Sequence, residues 1–84
     1  MNANDSTAAA LGAIIRRAAE DRDMTLVELA ERSGVPRGSL YRYIDGDRDM
    51  TLPTIESIAA ALGLDPGAMI QDAIQQARRN ARSV

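Results

Sequence analysis

Gly34 and Pro36 stand two residues apart between two stretches of helical spacing, and this pair limits the fold more than any other feature. Glycine supplies the left-handed backbone that ends a helix. Proline suits the first turn of the next one, where a missing N–H costs nothing. The upstream stretch opens on Thr25-Leu26-Val27-Glu28, the pattern of a capping box. In it the Thr hydroxyl accepts from the Glu28 amide and the Glu carboxylate returns to the Thr25 amide. Met24 and Leu29 are spaced for a hydrophobic staple. Downstream, Leu40, Tyr43 and Ile44 form one inner stripe, and Gly46 ends it. Two short helices, about 25–33 and 36–45, must therefore meet in a tight corner. Leu29, Ala30, Val35, Leu40 and Ile44 fill that corner, and a side chain larger than Ala30 would hold the helices apart.

The remaining chain is helical too. Leu11, Ile14, Ile15 and Ala18 form one face of a first helix that starts near Ser6 or Thr7 and ends near Arg22. Thr51 and Pro53 open a fourth helix with Ile55, Ile58, Ala59 and Leu62 facing inward, and Gly63 stops it. Asp65-Pro66 is a cap-plus-proline start. Met69, Ala73, Ile74 and Ala77 give the fifth helix its apolar face. No strand pattern or internal repeat is visible. The expectation is an all-α, five-helix domain over residues 7–77, with flexible ends at 1–6 and 78–84.

Composition excludes several functions. The 84 residues contain no Cys and no His. That removes disulfides, thiolate chemistry, the commonest metal ligand and the commonest general base. No constellation of acid, base and nucleophile is visible, so the chain does not read as an enzyme, and no cofactor or metal is implied. No apolar run approaches the roughly 18 residues of a membrane span. The N-terminus lacks the basic region of a secretory signal. These features point to a cytoplasmic protein. All ten cations are Arg, and seven of them lie outside Ser33 to Met50, as GC-rich coding would give.

Two short helices joined by a tight Gly-containing turn form a helix-turn-helix, although spacing alone equally fits an ordinary αα-corner. The run LVELAERSGVPRGSLYRYIDGDRDMTLPTIESIAAALGLDP resembles the lambda-repressor/Cro-like (XRE) family of helix-turn-helix regulators. The matching elements are LAERSGV, the L-x-x-x-I-x-x-G end of the third helix, and T-L-x-T-I-x-x-I-A-x-A-L-G-L followed by Asp65. The resemblance covers roughly residues 8 to 75. It implies a domain that inserts its third helix into the major groove of operator DNA, usually as a homodimer. The third helix would then present Arg37, Gly38, Ser39, Tyr41 and Arg42 outward. Arg37 and Arg42 suit bidentate contacts to guanine O6 and N7. Gly38 would lie at the bases with them, and Arg48 falls where relatives make a further base or phosphate contact. Ser39, Tyr41 and the Thr25 end of the second helix suit phosphate, with Arg16 and Arg17 adding backbone contacts from the first helix. Leu26 departs from the family, where many relatives carry a DNA-contacting Gln. Ile44 stands where many carry Glu.

Charge sets a second reading beside the first. Net charge is −2 and the pI near 4.9, whereas nucleic-acid-binding domains usually run basic. Asp45, Asp47 and Asp49 follow the third helix, and they compete with DNA for Arg42 and Arg48. The first reading is a sequence-specific regulator, a repressor in the cytoplasm of a bacterium or of a phage-infected cell. It would bind a two-fold operator as a homodimer through Met69, Ile70, Ile74 and Ala77. The alternative is a protein-interaction module, such as an antitoxin or anti-repressor that kept the fold and docks a partner on the loop Asp45 to Asp49.

Overall fold

The structure is a computed structural model, and it describes residues 6–82. The first five residues of the expected flexible N-terminus lie outside that range. Ser6 is ordered as a helix cap, its hydroxyl accepting from the Ala9 N–H at 3.0 Å. Five helices follow: α1 (Thr7–Asp21), α2 (Leu26–Ser33), α3 (Arg37–Ile44), α4 (Leu52–Leu62) and α5 (Pro66–Arg82).

The helix starts are set by local hydrogen bonding, as their sequences require. Both halves of the capping box at Thr25 and Glu28 form. Thr51 accepts from the Thr54 N–H, and Asp65 Oδ2 accepts from the Ala68 N–H at 2.8 Å. Gly34 and Gly63 end their helices in the left-handed region, at φ 77° and 71°.

Two boundaries differ from expectation. Pro36 is the residue before α3 rather than part of its first turn, because its ψ of 141° is extended. The tail expected from residue 78 is helical through Arg82. Its support is polar and so left no apolar period to read. Gln76 Nε2 donates to Asn80 Oδ1 at 3.1 Å, and Arg79 donates to Gln76 Oε1 at 2.7 Å.

The core holds Leu11, Ile15, Leu29, Leu40, Ile58, Leu62 and Met69 among its large members. α1 packs against every other helix, and α2 and α3 form the corner that α4 backs. Ala30 is buried in that corner, as its size requires. Two contacts fix α1. Gly12 lies against the last turn of α3, where a Cβ would stand 2.3 Å from the Ile44 carbonyl oxygen. Arg22, just past the end of α1, donates to the Leu62 carbonyl at 2.7 Å and to the Ala18 carbonyl at 2.8 Å. One cation thus closes the C-terminal ends of α1 and α4, where helix dipoles favour positive charge.

Candidate nucleic-acid interface

The corner between α2 and α3 carries the candidate surface. Ser33 ties its turn: the hydroxyl donates to the Ala30 carbonyl and accepts from the Val35 N–H, each at 3.3 Å. The chain then turns at Gly34 and enters α3. Leu40, Tyr43 and Ile44 are buried, so helical geometry turns Arg37, Gly38, Tyr41 and Arg42 outward, and all four are exposed. Tyr41 keeps 40% of its surface in solvent.

Ser39 does not join that face. It lies four residues before the buried Tyr43 and shares its side of the helix. It is half-buried in a cleft of ≈ 240 Å³ with Pro36, Pro53, Thr54 and Ser57. The expectation that it points outward is corrected by this i, i+4 relation.

The arginines divide by their partners. Arg37 pairs with Glu31 at 3.8 Å, Arg32 with Glu28 at 3.8 Å, and Arg16 with Asp45 at 3.7 Å. Arg48 lies over the Tyr43 ring, 6.0 Å from its centroid, so it is directed back to α3 rather than held by Asp47 or Asp49. Arg42 has no carboxylate within ion-pair distance among the described residues; the carboxylate of Asp45 is engaged by Arg16 instead.

The start of α2 is not an open phosphate seat. Glu28 Oε1 accepts from the Thr25 N–H at 3.2 Å and from the Thr25 hydroxyl at 3.1 Å. These bonds hold the Glu28 carboxyl below its ordinary value, and Arg32 adds a smaller effect in the same direction. A phosphate approaching Thr25 therefore meets a carboxylate first. Arg16 and Arg17 also separate. Arg16 reaches α3 through Asp45, whereas Arg17 lines a groove toward α5 with Ala13, Ile14, Gln76 and Asn80.

The residues expected at a dimer surface separate in the same way. Met69 and Ala77 are buried in the chain's own core, because α5 packs along α1, so neither is available to a second chain. Ile70 is partly buried and Ile74 is 38% exposed. Leu52, not anticipated, is 65% exposed at the first residue of α4 and lines an apolar groove with Met50, Ile55 and Ile70. Glu31 was also missed. It precedes Arg37 by six residues across a turn, and no helical period links the two. Gly12 did carry a signal: an isolated glycine inside a helical pattern often marks close packing.

A model of the helix-turn-helix domain matches residues 10–72, three quarters of the chain. The chain belongs to the helix-turn-helix domain family. The all-α fold and the lambda-repressor/Cro-like resemblance are borne out. The helix-turn-helix domain is similar to the crystal structure of the clp gene regulator ClgR from Corynebacterium glutamicum. The TM-score is 0.85 at 29% identity over 93% of this chain and 83% of that one. A second ClgR structure gives 0.74 at 32% identity over 81% and 88%. No curated protein matches the chain. No helix among the described residues is long and apolar enough to cross a membrane.

Gly38 is the one member of the outer face that packing does not explain. A Cβ there would meet nothing within 4 Å, and its backbone is ordinary helix. Gly38→Ala is expected to raise stability by about 0.5–1 kcal/mol, because alanine is the better helix former. The same change is expected to weaken DNA binding, since it places a methyl group on the outer face of α3, which the family resemblance assigns to the bases. Thermal denaturation and a gel shift on the same sample check the opposed signs. Gains in both would show that nothing approaches Gly38 closely.

Proposed function

We propose that this domain is a sequence-specific double-stranded DNA-binding transcriptional regulator that places α3 in the major groove. The observation that carries the reading is the outer face of α3: Arg37, Gly38, Tyr41 and Arg42, held rigidly by a turn that Ser33 and Gly34 fix. A helix of this width fits the major groove, and two arginines on its exposed face match the donor geometry that guanine requires. The solved relatives are regulators of a gene, which supports the same class of activity in the cytoplasm.

The domain acts as a repressor and as a homodimer on a two-fold operator, with half-sites about one helical turn apart. Leu52, Ile70 and Ile74 are the apolar side chains free to meet a second copy. Arg42 reads bases, Arg37 reads a base while touching Glu31, and Arg48 follows them from its place on Tyr43. Tyr41 and Arg16 reach phosphate. The loop Asp45 to Asp49 offers a second use. Asp47 and Asp49 are exposed and Arg48 turns away from them, which favours docking of a basic protein there.

Selection of duplexes from a random pool, followed by gel shifts against salt, tests the reading. A two-fold consensus is expected. On random DNA, log K against log salt is expected to have a slope shallower than about −4, because few cations are free to release counterions. Failure to enrich any sequence would exclude the reading. A steep slope on random DNA would exclude the sparse electrostatic contact it assumes.

A further inference from the structure

Three arginines lie between residues 25 and 45, and two of them are already engaged. Arg32 is met by Glu28 on its own helix. Arg37 is met by Glu31 across the turn, and this second pair joins the two helices of the reading unit. Arg37 is the first residue of α3, where the positive end of the helix disfavours a cation. A carboxylate placed there offsets that cost. Both side chains are largely exposed, 61% and 68%, so the pair is screened and exchangeable.

The atoms in contact matter more than the strength. Glu31 Oε1 stands 3.8 Å from Nη2 of Arg37, an ion-pair separation longer than a hydrogen bond. A guanidinium has five N–H donors in a fixed plane, and a guanine needs two of them along one edge. Because no hydrogen bond ties Nη2 to Glu31, its N–H groups and a neighbouring N–H remain available for O6 and N7. Arg37 can therefore remain on Glu31 while it reads a base. A phosphate can take the same fork, but it is an anion, and beside Glu31 it meets a carboxylate of like charge that a neutral guanine does not meet.

Resting on the DNA-binding reading above, we infer that Glu31 is a specificity-determining residue: it positions Arg37 for a base and withholds that cation from indiscriminate phosphate contact. Glu31 touches no base itself. It acts through Arg37, so its effect is on the ratio between correct and random DNA.

The test uses the full chain, the consensus duplex obtained by selection, and a random duplex of equal length. Glu31→Gln is expected to tighten random binding about two- to fivefold, the effect of an exposed pair. It is expected to steepen the random-DNA salt slope by up to about 0.9, one further phosphate neutralised. Consensus binding is expected to stay level or weaken, so the ratio falls. Asp72→Asn removes the same charge from α5, which packs on neither α2 nor α3, and is expected to leave the ratio unchanged. In an Arg37→Ala background, Glu31→Gln is expected to lose its effect on the ratio. Equal tightening on both duplexes, no change on either, an Asp72→Asn effect of the same size, or persistence without Arg37 would each overturn the inference while DNA binding stands. A wild-type chain that selects no sequence would overturn both readings.

Discussion

Gly12→Ala is expected to destabilise the domain by about 1–3 kcal/mol, the cost of overpacking a close contact, although alanine is favoured by about 1 kcal/mol inside a helix. The added Cβ would stand 2.3 Å from the Ile44 carbonyl oxygen, and 2.8 Å from both the Ile44 carbonyl carbon and the Tyr43 carbonyl oxygen. All three are backbone atoms, so no side chain can rotate away. The last turn of α3 or the middle of α1 must shift instead. Both elements are committed elsewhere: Ile15 and Leu40 are fully buried beside the contact. For a domain of this length the melting temperature is expected to fall by roughly 5–20 °C, read by circular dichroism. The turn that must give also carries Tyr43 and Asp45, so the position of Arg48 and the Arg16 contact move with it. An unchanged or raised melting temperature would show that α1 and α3 do not approach this closely.

That contact shows where reading of the sequence stops. The five helices were legible because each start and stop is a local event: Thr25 with Glu28, Thr51, Asp65, Gly34, Gly63. Gly12 drew no notice in the sequence, and its partner at Ile44 is set by how α1 crosses α3. Arg22 was harder still. Its acceptor is the carbonyl of Leu62, 40 residues away, and no spacing rule connects them. The end of α5 was missed because polar side chains, not an apolar stripe, carry it to Arg82.

The candidate surface divides along the same line. Arg37, Tyr41 and Arg42 were placed outward because Leu40, Tyr43 and Ile44 had to turn inward. Ser39 was misplaced by taking adjacency for direction. Its i+4 neighbour Tyr43 already marked its side of the helix. In the loop, alternating charge suggested that Arg48 pairs with its chain neighbours. Neighbours in a loop need not face one another, and the ring of Tyr43 is the surface Arg48 meets.

Arg42→Ala is expected to produce the largest loss of DNA affinity of any single change on α3. A bidentate arginine–guanine contact contributes about 1–3 kcal/mol of discrimination, roughly a 5- to 150-fold loss on the consensus duplex. Arg42 is the better position for it than Arg37. Arg42 is exposed with no carboxylate in ion-pair range among the described residues, whereas Arg37 shares its charge with Glu31. The exposed site lets alanine replace it without a packing cost, and helix propensity slightly favours the change. A stability effect therefore cannot account for the loss. Arg42→Lys separates charge from geometry. Lysine keeps the cation but lacks the planar fork, so random-DNA binding is expected to persist while preference for the consensus base falls. Full preference in the lysine variant would reduce Arg42 to a phosphate contact. Full affinity in the alanine variant would remove it from the interface and leave α3 without its principal reader.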